Sequence, residues 1–172
     1  MKHQFILKSS LIAGLFAFAA SSSVVATAEP LAVTAKVKES CTITTTDLVF
    51  PELTPDTSVA MLEGEGQVQI ACTKKSIPTI LIDLGANDVG GERYMKEDIN
   101  GVETLKYALF QPVSNDADAL CGFTVPWGAG LTVDEAPSKA VRNYNVCGGI
   151  ALADQDVPAG DYSDEVVVTV SF

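Results

Sequence analysis

"DYSDEVVVTVSF", residues 161–172, carries the densest β signal in the chain. Val166, Val168, Val170 and Phe172 fall on one face, and Val167, Thr169 and Ser171 on the other. A strand lying against a core has this period of two, and β-branched residues suit its pleated surface. Tyr162 shares the count of Val166, so Tyr162, Val166, Val168, Val170 and Phe172 are expected to point inward together. No turn signal follows the run.

Working outward, the other readable segments are of the same kind. "QVQIAC" (67–72) puts Val68, Ile70 and Cys72 on one face, and "CTITTT" (41–46) is β-branched and alternating. "PTILIDLG" (78–85) is a nearly continuous apolar run bounded by Pro78 and Gly85, the pattern of a central sandwich strand. In "ETLKYALF" (103–110), Glu, Leu, Lys and Ala favour a helix. The alternation of Leu105, Tyr107 and Leu109 between Gly101 and Pro112 predicts a strand instead. Turn signals at "PELTPD" (51–56), "DVGGE" (88–92), "VPWGAG" (125–130) and "VPAGD" (157–161) separate these runs. Many short strands so punctuated predict an all-β sandwich. No internal repeat, low-complexity tract or interdomain linker interrupts it.

"LAVTAKVK" (31–38) also alternates, with Leu31, Val33, Ala35 and Val37 on one face and Thr34, Lys36 and Lys38 on the other. No hairpin signal joins this strand to the next. Two arrangements suit the pair of end strands. They pair within one chain and close the sheet, or the first serves another molecule while the last borders the gap that receives it, which is β-strand addition.

Residues 1–28 have the form of a secretory signal peptide: Lys2 and Lys8, an apolar stretch from Leu11 to Ala20, and the cleavage pattern Ala26-Thr27-Ala28. No second apolar run of spanning length follows, so stable membrane insertion is not expected. Removing the signal leaves 9 basic against 22 acidic groups, a net charge of −13. A chain so acidic repels nucleic acid and anionic lipid. The one histidine, His3, leaves with the signal. The mature chain then has no Ser-His or Cys-His relay and no His-ligated zinc site. No P-loop, G-x-S-x-G or G-x-G-x-x-G motif occurs, and "EDINGVE" (97–103) lacks the spacing of a calcium loop and reads as a turn. Neither an enzyme nor a cofactor or metal site is expected. Cys41, Cys72, Cys121 and Cys147 include no C-x-x-C. An even count in an exported chain reads as disulfides. Three pairings are possible and the sequence does not choose among them; the sequential one, Cys41 with Cys72 and Cys121 with Cys147, is the expectation.

Several of these pieces together resemble the spore coat protein U family, which includes subunits of archaic chaperone–usher pili. "CTI" follows an alternating N-terminal segment, and "QVQIACT" (67–73), "RYM" (93–95), "LKYALF" (105–110) and "WGAG" (127–130) come in the family's order. The ending "VPAGDYSDEVVVTVSF" (157–172) is the most specific part: Pro-x-Gly-x-Tyr-x-Asp, then a Val/Thr-rich strand closed by an aromatic residue. The chain departs from the family at Cys147-Gly148-Gly149-Ile150, where a Tyr-Gly-Arg-Ile type segment is usual, and at the added Cys121. Both departures are cysteines, as a second disulfide requires.

The resemblance implies an incomplete immunoglobulin-like β-sandwich that lacks its last strand and is completed by a donated one. A periplasmic chaperone first lends the strand. At an outer-membrane usher, the N-terminal segment of another copy or of a sister subunit then replaces it. The expected division is a signal peptide over 1–28, a donor segment over 29–39 and a pilin sandwich over 40–172. Leu31, Val33, Ala35 and Val37 are the expected donor anchors, and Tyr162, Val166, Val168, Val170 and Phe172 the expected acceptor groove. The implied product is a secreted pilus subunit, or fimbrial protein, on the bacterial surface, serving adhesion and biofilm formation. Two alternatives are a secreted spore or cell coat protein, and a carbohydrate-binding module stacking sugars on Trp127 and Tyr94.

Overall fold

A computed structural model describes residues 26–54, 59–153 and 155–172. The expected signal peptide, residues 1–28, lies almost wholly outside the described residues. The chain divides into two units, Met1–Lys36 and Val37–Phe172. In the first, residues 26–36 form no strand and are exposed. The strand expected over "LAVTAKVK" is therefore not formed: none of these residues enters a ladder, although Lys38 O accepts from Thr73 Oγ1 at 3.2 Å.

Among the described residues of the second unit every regular element is a β-strand: β1 (Cys41–Val49), β2 (Met61–Cys72), β3 (Thr79–Ile82), β4 (Arg93–Glu97), β5 (Thr104–Pro112), β6 (Cys121–Pro126), β7 (Leu131–Thr132), β8 (Arg142–Ala151), β9 (Tyr162–Ser163) and β10 (Val168–Ser171). The larger sheet runs β1-β2-β8-β5-β4-β9, with β6 also paired to β5, and the smaller runs β10-β3-β7. All named pairings are antiparallel. The two sheets share one core, in which Val68, Ile70 and Tyr144 of the larger meet Ile80 and Leu131 of the smaller. Trp127 is buried there too, at 1% exposure. The fold is the expected all-β sandwich.

Three features follow from local chemistry. β2 is longer than its apolar run because Gly64 and Gly66 hold the core-facing positions beyond Val68. A Cβ on Gly66 would lie 2.9 Å from Leu48 Cβ, and one on Gly148 of β8 would lie 2.7 Å from both Leu48 and Phe50 side chains. The glycines thus make the trough into which the end of β1 folds, after a register break between Thr46 and Val49. Second, Arg93 of β4 ties the sheets together. Its Nη2 donates to Asp83 O at 2.7 Å and to Ile82 O and Trp127 O, both at 3.2 Å. Burial lowers the pKa of this guanidinium, and nearby Tyr107, Asp83 and Asp164 oppose that shift. Third, "EDINGVE" is a turn: the Glu97 carboxylate accepts from the N–H groups of Ile99, Asn100 and Gly101.

The expected single strand over 161–172 is two. β9 pairs with β4 in the larger sheet and β10 with β3 in the smaller. Asp164 marks the crossing, accepting from Tyr107 Oη at 2.6 Å and from Asn87 N and Nδ2 at 3.1 and 2.9 Å. The inward alternation persists across the break, so period alone did not reveal it.

Both disulfides are the sequential ones, Cys41–Cys72 and Cys121–Cys147. The first joins directly opposed residues of β1 and β2. The second ties β6 to β8.

Candidate functional site

Among the described residues, β1 pairs only with β2 and β10 only with β3, so each ends its sheet, as β9 and β7 do on the opposite sides. Backbone parity fixes what each open edge presents. Ser40 O accepts from Thr73 N, so Ser40, Thr42 and Thr44 address β2. The N–H and C=O groups of Cys41, Ile43 and Thr45 then point the other way. Just ahead of β10, Glu165 O and Val167 O accept from Ala86 N and Asp83 N. The backbone groups of Val166, Val168 and Val170 therefore address the open edge.

The residues whose backbones face these edges also face the core. Val166, Val168 and Val170 are only half-buried, though they pack against the core cluster. Ile43, Thr44 and Thr45 line one cleft with Glu165, Val166, Val167 and Val168, a space of about 540 Å³. It is walled by the first and last strands of the second unit. Open edges beside half-covered core side chains invite strand pairing.

Of the expected groove residues, Val166 and Val168 line this cleft, and Val170 continues their row along β10. Phe172 follows at the end of the row and is 57% exposed. Tyr162 does not belong with them. It lies on β9, at the end of the larger sheet away from β1, and its hydroxyl donates to Pro158 O at 2.9 Å. The crossing at Asp164 separates it from the row it seemed to continue. Sequence reading makes the strand at Cys41 the opposite wall but names none of its residues: the alternation of "CTITTT" marks Ile43 and Thr45 as one face, but not that their edge stays open.

The expected donor residues Leu31, Val33 and Val37 are 87%, 87% and 81% exposed, and Ala35 is exposed as well. A stacking platform on Trp127 is excluded by its burial in the core. Among the described residues, no group of three or more His, Cys, Asp or Glu is arranged to hold a metal ion, and no helix is long and apolar enough to cross a membrane.

The Spore Coat Protein U domain matches the chain over residues 27–169. Among solved structures, the chain is similar to the chaperone–tip adhesion subunit pre-assembly complex CsuC–CsuE of archaic chaperone-usher Csu pili from Acinetobacter baumannii. The TM-score is 0.54 and the identity 23%, over 79% of this chain and 40% of that one. A chaperone–tip adhesin complex of CFA/I fimbriae biogenesis gives a TM-score of 0.47 at 17% identity, over 75% of this chain and 41% of that one. The first likeness is one of fold, and the chain spans less than half the length of either structure. No curated protein matches the chain.

Proposed function

The chain belongs to the Spore Coat Protein U domain family, and from that premise we propose that it is a structural subunit of a chaperone–usher pilus, polymerised by strand donation. Residues 29–39 of one copy, or of a sister subunit, fill the cleft between β1 and β10 of the next. The single observation that carries this reading is the pair of open edges flanking half-buried core valines, in a chain that also holds an exposed, alternating, unpaired segment. A strand seated there satisfies both rows of backbone groups. Its inward side chains complete the core, each large aliphatic anchor contributing roughly 1.5–3 kcal/mol. The role is structural rather than enzymatic.

Until a neighbour supplies the strand, the open cleft requires a temporary occupant. A periplasmic chaperone fills that role and an outer-membrane usher exchanges it, which places the product on the cell surface as a fimbrium. Adhesion and biofilm formation follow from that location. Deleting residues 29–38 tests the proposal. The truncated protein folds on its chaperone but does not join fibres as a donor; normal fibres from it would sink the reading.

A further inference from the structure

We propose that the register of the donated strand, laid antiparallel along β10, is set by an ion pair between Lys38 of the donor and Glu165 of the acceptor. This rests on the strand-donation reading above. It adds an alignment and a recognition contact.

The donor has four inward residues, two apart, from Leu31 to Val37, and the acceptor has four at the same spacing from Val166 to Phe172. Full antiparallel overlap sets Val37 opposite Val166 and Leu31 opposite Phe172. On the outer face the same alignment sets Lys38 opposite Glu165 and Lys36 opposite Val167, whose exposed surface takes the lysine stem. Glu165 is the only acidic side chain among residues 41–46 and 165–172, and it lines the cleft. The parallel alignment instead sets Pro30 opposite Glu165, which leaves that carboxylate without a basic partner. A slip of two residues brings Lys36 to Glu165 but leaves only three inward pairs. A slip of one turns both lysines into the core face. Anchor overlap and charge therefore select the same alignment.

The geometry makes this register measurable. Glu165 addresses its backbone to Ala86, on the far side from the cleft. A donor residue opposite it occupies a non-hydrogen-bonded pair, with Cα atoms about 4.5 Å apart. The native Cys41–Cys72 bridge spans such a pair, at a Cα separation of 4.0 Å. Diagonal neighbours lie roughly 7–8 Å apart, beyond the reach of a disulfide.

Full-length chains carrying Lys38→Cys are co-assembled with chains carrying Glu165→Cys and resolved on non-reducing gels. The expected result is a cross-linked dimer for this pair and none for Lys36→Cys with Glu165→Cys. Lys38→Glu slows assembly at low salt by about 1.4- to 5-fold, the range of exposed ion pairs, and Glu165→Lys in the acceptor restores it. Linkage through Lys36→Cys overturns the register and leaves strand donation standing. So does absence of linkage in both pairs while deletion of 29–38 still abolishes multimers. Multimers that survive the deletion overturn strand donation, and this register with it.

Discussion

Ile43 and Ile70 stand directly opposite each other across β1 and β2, yet Ile70 is fully buried and Ile43 is 38% exposed. Their side chains share one face of one sheet. The difference is what lies beside them, since Ile70 has β8 on its other flank and Ile43 has the open cleft. Ile43→Asp is therefore expected to fold and to donate normally, but to accept a strand poorly. Mixing it with wild type and counting SDS-resistant dimers by which partner donates checks this; a donor defect would place Ile43 outside the acceptor wall.

The complementary substitution is on the donor. Val33→Asp would carry a charge into a dry groove, and an unpaired buried charge costs several kcal/mol even after relaxation. That exceeds what one apolar anchor contributes. The variant should be secreted and should accept a wild-type strand, yet fail to donate. Thr34→Asp, on the outer face, should be nearly neutral in the same assay. Equal defects at the two positions would show that the alternation does not describe the bound strand.

Either disulfide removed as a pair of serines should cost about 2–4 kcal/mol in chemical denaturation. Their effects on assembly should differ. Cys41–Cys72 holds the edge that walls the cleft, so its loss should also weaken strand acceptance. Cys121–Cys147 joins β6 to β8, neither of which borders the cleft, so its loss should leave acceptance intact once the protein has folded.

Gly148→Ala should destabilise the protein by about 1–3 kcal/mol, the usual cost of overpacking. Its Cβ would meet Leu48 and Phe50 at 2.7 Å, whereas a Cβ on Gly128 meets nothing within 4 Å. Gly128→Ala is the control, and thermal melts of the two variants compare them.

Alkaline unfolding should report on Tyr107. Burial, and then its hydrogen bond to Asp164, raise the pKa of this phenol above the unfolded value of about 10. The stability it contributes is complete below that unfolded value and is lost as pH rises through the folded one. Tyr107→Phe should give up about 1 kcal/mol at neutral pH and show a shallower decline above pH 10. An unchanged alkaline limb in urea titrations would assign that decline to other groups.

Period two was readable wherever large apolar residues alternate, which is why β3, β5 and the Cys72 half of β2 were legible. It failed where glycine takes the inward position, as at Gly64, Gly66 and Gly148, because their role is set by Leu48 and Phe50 from a distant part of the chain. It also failed at Asp164, where side-chain partners from β5 and the loop after β3 redirect the backbone without disturbing the alternation. Of the cleft, the Val166 row was legible. Ile43 was not, because an open edge is a property of which strands are missing as neighbours.

The bridge from Cys41 to Cys72 also decides how the domain meets mechanical load. Any tension on the chain at residue 40 enters the folded unit at Cys41, the first residue of β1. A hydrogen-bonded strand pulled from its end unzips one pair at a time, at low force. Here a covalent pair follows directly on the Ser40–Thr73 hydrogen bond, so the pull passes to β2, which is paired on both sides, to β1 and to β8. The force is then borne in shear by many backbone bonds together. In a fibre built from such units, tension arriving at residue 40 would not peel β1 from β2 one pair at a time.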